Sequence, residues 1–331
     1  LTLVLEIFDP VVLRVAHQSD LLENFCRRSY FYQRFNIHLE GNKAKIHREF
    51  HQSYIQRLVL CTPPENYTTS FRYIVETADA LCMRSDIPKR SRTEYIKALC
   101  GDAEIYFPCP SAIFHAEEYE LQYWQSSDPE LILFTAALNL NLMSIVQDLI
   151  DRLFKRYGSK LPGCLFGNPY IRAAEKNKWE ILELLFKKAS VSPTLLPSWL
   201  NHELLNCLIS ASASDSLETV NWILDDKERR EILLDLINER FDPTGSVGSK
   251  EDAHYWVDRM LLVPTQRIFS RLHEFRQTSL FAGRIYRFWE VLKSCVYVHN
   301  VEMIRWLVTT HWQEPQNQAP LCGCNPGECY R

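Results

Sequence analysis

The sequence predicts an all-α chain. An irregular helical region covers residues 1–125, a stack of paired helices covers 126–312, and a short tail covers 313–331. Three observations lead there. Only 10 glycines accompany an aromatic content of 12% in 331 residues, a composition unsuited to a turn-rich β-sandwich. Apolar residues recur at helical spacing through most of the chain. A ten-residue helix–turn–helix frame recurs four times in the second half.

Bulk composition narrows the function classes. Hydrophobic residues make up 46% and charged residues 24%, so a packed core is expected over most of the length. A net charge of -4 supplies no general attraction to nucleic acid, so any basic site must be local. The 11 cysteines stand mostly singly in apolar helical contexts. That pattern predicts reduced thiols, hence a cytoplasmic protein with the nucleus as the alternative, rather than a disulfide framework. The opening LTLVLEIF is short and carries Glu6, unlike a signal peptide, and no run reaches the roughly 20 apolar residues of a membrane span.

In the first region, Asp9-Pro10 opens a helical run with Val11, Val15, Leu21, Leu22 and Phe25 on one face. Lys45–Cys61 is a second helix, ended by Pro63-Pro64, and Ser70–Met83 and Arg92–Cys100 follow. Pro108 and Pro110 mark a loop, and residues 111–125 read as helical. At Asp128-Pro129 a new helix is capped and started.

From there the frame appears. In Tyr170–Lys187, YIRAAEKNKWEILELLFK, Asn168 is a good N-cap, Pro169 fits the first helical position, and the frame runs from Ala173-Ala174 to Ile181-Leu182. It also fits from Ala137-Leu138 to Ile145-Val146, from Ala211-Ser212 to Thr219-Val220, and from Cys295-Val296 to Met303-Ile304. The small leading residues allow a neighbouring helix to approach. The fifth position is Asn141, Asn177, Asp215 and His299, residue types that tolerate a left-handed turn costing an ordinary side chain about 1–2 kcal/mol. The eighth is Ser144, Glu180, Glu218 and Glu302, a capping or acidic residue for a helix N-terminus. Trp179, Trp222 and Trp306 are expected to pack between layers.

AAEKNKWEILELL, with ASASDSLETVNWIL, CVYVHNVEMIRWLV and ALNLNLMSIVQDLI, resembles the second half of the ankyrin repeat. The family's glycine and histidine are replaced in all four copies, and its T-P-L-H opening survives only as Asn168-Pro169-Tyr170-Ile171. The spacings are longer and less even than the family's period of about 33 residues. The resemblance is therefore to divergent, degenerate ankyrin-like arrays, with an insertion at about 226–283. It implies a helix-pair solenoid that binds another protein. Within that insertion, Lys227–Arg240 reads as an amphipathic helix, 242–248 as a loop, and 256–262 and Gln266–Phe275 as helices.

Candidate chemistry is sparse. His47 and His51 share a helix face at i, i+4, but Glu49 points away and the H-E-x-x-H order is absent, so a solvated helix face is the reading taken. His115-Ala116-Glu117 has the H-x-E of zinc deaminases without the following P-C-x-x-C. Cys322, Cys324 and Cys329 form an incomplete zinc pattern in the tail. Asn66-Tyr67-Thr68 is a sequon, taken as a chance triplet. No phosphate-cradling glycine loop occurs. Cofactors and metals are therefore not expected. Residues 267–293 combine Arg267, Arg271, Arg276, Arg284 and Arg287 with interleaved aromatics, a combination used for RNA phosphate contact and base stacking. The plainer reading puts the aromatics in the core and the arginines on the wet side of helices. Lys89-Arg90-Ser91-Arg92 is a smaller basic cluster.

The expected function is a protein-interaction scaffold of ankyrin-repeat type. The alternative is an enzyme on a helical framework, such as an RNA- or tRNA-dependent biosynthetic transferase or ligase. Its site would lie between the N-terminal region and the repeats, with His47, Glu49, His115 and Glu117 as catalytic candidates.

Overall fold

The computed structural model describes residues 52–103 except 54, 126–190 except 159, 197–240, 265–278, 292, 295 and 301–311. Among these residues the protein is all-α, and its one extended pairing is a bridge between Cys164 and Gly167. The chain divides into two compact units, the first ending at Leu200 and the second beginning at Asn201.

In the first unit, α1 spans Thr69–Cys82 and α2 spans Arg92–Asp102. Both start where a hydroxyl can accept an orphan backbone N–H. Thr68 accepts from Phe71, which also gives the sequon threonine a structural role. Ser91 forms a reciprocal capping box with Glu94. Next come α3 (Pro129–Asn139) and α4 (Met143–Tyr157), then α5 (Pro169–Glu175) and α6 (Trp179–Ser190). Asp128 and Asn168 cap α3 and α5 ahead of their prolines, as the sequence predicts.

Helix α3 is the centre of this unit. From Leu131 to Leu138 no residue is exposed, because the segment LILFTAAL is apolar around its whole circumference. Its one hydroxyl in that run, on Thr135, donates to the Leu131 carbonyl one turn back at 2.9 Å. Helices α1, α2, α4 and α5 all pack on it. Helix α4 is amphipathic in the usual way: Ile145, Val146, Leu149, Ile150 and Leu153 are buried, while Asp148, Asp151, Arg152 and Lys155 are exposed. Helices on both sides of the expected boundary at residue 126 thus share one core.

The second unit contains most of α7 (Pro197–Ala213), with α8 (Leu217–Asp225), α9 (Lys227–Arg240), α10 (Gln266–Thr278) and α11 (Val301–His311). The stretch read as an insertion contributes α9 and α10, and both pack on α8. Phe269, Cys295, Met303 and Leu307 form a buried cluster, with Leu292, Ile304 and Trp306 against it. The Phe269 and Trp306 rings meet edge to face at 5.4 Å.

The predicted runs at 10–35 and 111–125, the helix at 256–262, the loop at 242–248 and the tail lie outside the described residues. Among the described residues, no helix is long and apolar enough to cross a membrane.

Candidate functional site: the repeated turns

The three described copies of the frame close with the same turn. Asn141, Asn177 and Asp215 have φ of 60°, 56° and 55°, as the choice of residue type predicts. Each N–H donates three residues back, to Leu138, Ala174 and Ser212. The next N–H donates five residues back: Leu142 to Ala137 at 2.8 Å, Lys178 to Ala173 at 2.9 Å and Ser216 to Ala211 at 2.9 Å. This two-bond Schellman closure satisfies carbonyls that the helix end leaves orphaned. Ala137, Ala173 and Ala211, whose carbonyls take the closing bonds, are fully buried. The first two alanines lie on α3 and α5, which pack together, so small side chains there permit close approach. His299, the fourth equivalent, lies outside the described residues.

One detail of the frame differs from expectation. Ser144 does not cap α4, which starts with no side-chain cap because the turn itself feeds the helix. Glu180, Glu218 and Glu302 lie in the first turns of α6, α8 and α11, as expected of acidic residues where the helix dipole favours a negative charge. The three tryptophans are half-buried, and Trp306 packs against the Phe269 cluster. Trp222 lies beneath the Arg229 guanidinium at 4.0 Å, a cation–π pair within one unit.

Two arginines of the basic-aromatic stretch have described side chains. The Arg267 guanidinium donates from Nε to Asp215 Oδ1 at 2.9 Å and from Nη2 to the Asp215 carbonyl at 3.0 Å and to Oδ2. Thr265 also donates to the Asp215 carboxylate. Arg271 donates to Asn221 at 2.9 Å, to Asp225 and to Glu274. Phe269, between them in sequence, is buried. Both arginines therefore have their donors directed at groups of their own unit. The Arg276 side chain, Arg284 and Arg287 lie outside the described residues, as do His47, Glu49, His51, His115, Glu117 and Cys322, Cys324 and Cys329.

Sequence reasoning missed a polar seam between α2 and α5. Arg172 donates to the Phe166 carbonyl at 2.8 Å, to Glu175 at 2.8 Å and to the Asp102 carbonyl at 3.1 Å. Lys176 pairs with the Asp102 carboxylate at 2.9 Å. Gly167, at φ 100°, makes room for it: a Cβ there would collide with Arg172 Nε. Nothing local in the sequence marks this seam, since Asp102 and Arg172 are 70 residues apart.

A second polar chain runs along α3 and α4. Arg84 pairs with Asp86 and Asp148, Arg152 with Asp148 and Glu130, and Arg156 with Glu130 and Asp128, while Tyr157 donates to Asp128 at 2.8 Å. The Arg84 hydrogen bond holds the Asp86 carboxyl down to about 2. Burial opposes ionisation of Asp128, but Arg156 and Tyr157 outweigh it and keep its carboxyl below the ordinary range. Carboxylates held this far below neutrality are poor proton donors or acceptors at physiological pH.

Burial pushes Cys100 up and Cys295 to about 12, so both are protonated at neutral pH. Among the described residues, Cys61, Cys82, Cys100, Cys164, Cys207 and Cys295 form no disulfide. Among the described residues, no group of three or more His, Cys, Asp or Glu side chains could hold a metal ion.

Comparison with protein-family models, with curated proteins and with solved structures finds no match for this chain.

Proposed function

We propose that the protein is an interaction scaffold of divergent ankyrin-like helix pairs that engages another protein through its repeated turns. The observation that carries this reading is the same two-bond left-handed closure at Asn141, Asn177 and Asp215, each built on a fully buried alanine. Three separate sequences converge on one backbone geometry, as expected of a repeated structural unit. The side-by-side packing of α3 and α5 and the Lys188–Asp151 pair between α6 and α4 support a stacked arrangement of the first two pairs.

The accessible surface directs the reading to the turns. In an open array the inner helix keeps one free face, but α3 keeps none, because α1 and α2 cover it. Exposed residues at the turns include Asn141, Ser144, Glu180 and Glu218. Exposed polar residues on rigid frames are where recognition is commonly built.

The test is affinity capture with the parent chain and with an E180K/E218K variant, followed by quantitative mass spectrometry, with circular dichroism to establish equal folding. The expected result is one protein captured stoichiometrically by the parent and depleted by the variant. Equal capture by both would remove the turns from the interface. Loss of all bound material on ribonuclease treatment would instead favour RNA recognition.

A further inference from the structure

We propose that Ser91 is a phosphorylation site for a basophilic serine/threonine protein kinase, placed so that the phosphate replaces Glu94 at the cap of α2. The segment from Pro88 to Glu94 is exposed at every residue, and the chain from Arg84 to Ser91 forms no helix or strand. Ser91 itself is extended, with φ -67° and ψ 155°, and stands one residue before the first turn of α2.

Charge supplies the recognition. Lys89 and Arg90 immediately precede the serine, and neither has a carboxylate within ion-pair distance among the described residues. The Arg90 guanidinium rests over the Tyr95 ring at 5.9 Å, leaving its donors unmatched. Arg92, by contrast, is paired with Asp79 at 2.5 Å. Exposed cations beside an exposed serine suit an enzyme whose peptide groove is lined with carboxylates.

The reaction balances with ATP as phosphoryl donor. Ser91 Oγ attacks the γ-phosphorus, an Oγ–P bond forms, the bond from that phosphorus to the β–γ bridging oxygen breaks, and ADP leaves. The hydroxyl proton passes to the kinase's catalytic carboxylate.

The consequence is local and defined. Ser91 donates from its N–H to Glu94 Oε2 at 2.7 Å and from its hydroxyl at 2.8 Å, and its Oγ accepts from the Glu94 N–H at 3.2 Å. Esterification removes the hydroxyl donor and brings about −1.5 to −2 charges next to the Glu94 carboxylate. That carboxylate must swing away. The phosphate oxygens then take the Glu94 backbone N–H and draw in Lys89 and Arg90. Helix α2 packs on the central helix α3, so the exchange alters the anchoring of a core element.

The experiment treats the full chain with ATP and either the catalytic subunit of cyclic-AMP-dependent protein kinase or an acidophilic casein kinase. Phosphopeptides are then mapped by mass spectrometry. The expected result is one phosphoryl group on Ser91 from the basophilic enzyme and none there from the acidophilic one. A K89A/R90A variant with unchanged circular dichroism should react roughly tenfold more slowly, as expected for removal of two recognition charges. Amide exchange at Glu94 and Tyr95 should change on phosphorylation. The proposal is overturned if Ser91 stays unmodified, if K89A/R90A reacts as fast as the parent, or if Ser91 reacts only after the chain has been unfolded by heat.

Discussion

Replacing Asn141 isolates the energetics of the repeated turn. Its side chain is exposed, so substitution removes little packing, and its backbone stands at φ 60°. An ordinary side chain in the left-handed region is disfavoured by about 1–2 kcal/mol, and asparagine by less. Asn141→Ala should therefore destabilise the first unit by about 1 kcal/mol. Asn141→Gly relieves the steric term but adds unfolded-state entropy of similar size, so it should fall within about 0.5 kcal/mol of the parent. In a chain of this length each kcal/mol corresponds to about 2–4 °C in Tm. The assay is urea denaturation, with amide exchange at Leu142 and Ile145 reporting the unfolding of α3 and α4. With two compact units, a single global transition is not assumed. Equal stability of the Ala and Gly variants, or an Ala variant more stable than Gly, would refute a left-handed turn at this position.

Other consequences can be checked in the same way. Gly167→Ala combines a strained φ with displacement of Arg172 from the Phe166 carbonyl, and should destabilise by about 2–4 kcal/mol. In an Arg172→Ala background the same change should fall to about 1–2 kcal/mol, and a double-mutant cycle without coupling would disprove the contact. Asp128 titrates lower folded than unfolded, so its stabilisation is present above its unfolded value, about pH 4, and is lost as pH falls through its folded value. Asp128→Asn keeps the helix cap but loses the charge, so its stability should fall less steeply as the pH drops below about 4 in acid titrations. Ala174→Leu should separate α3 from α5 and destabilise by about 1–3 kcal/mol by overpacking; thermal unfolding identical to the parent would place Ala174 outside the packed interface.

Much of the local structure was legible because it depends on neighbours in sequence. Asp128-Pro129 and Asn168-Pro169 start helices since cap and proline act within one turn. The left-handed residues could be named because so few residue types tolerate that backbone. Lys227–Arg240 was read with the bounds it has. Ser144 was misread as a cap because a residue at a helix start is equally consistent with the position before it and the position within it. Trp306 packs against the buried Phe269 cluster, whereas Trp222 lies half-buried beneath the Arg229 guanidinium, since an indole on an apolar face can equally rest under an arginine.

What the sequence determined by itself was therefore the helical class, the recurring frame and the chemistry of its turns, all governed by interactions spanning about one helical turn. Only the tertiary structure decided that α3 is enclosed on every side, that Arg172 ties α5 to the end of α2, and that Asp215 receives Arg267 as well as forming a turn. Those contacts join residues tens of positions apart. Their partners are chosen by packing geometry, and one chain read in order carries no local signal of which helix end will meet which arginine.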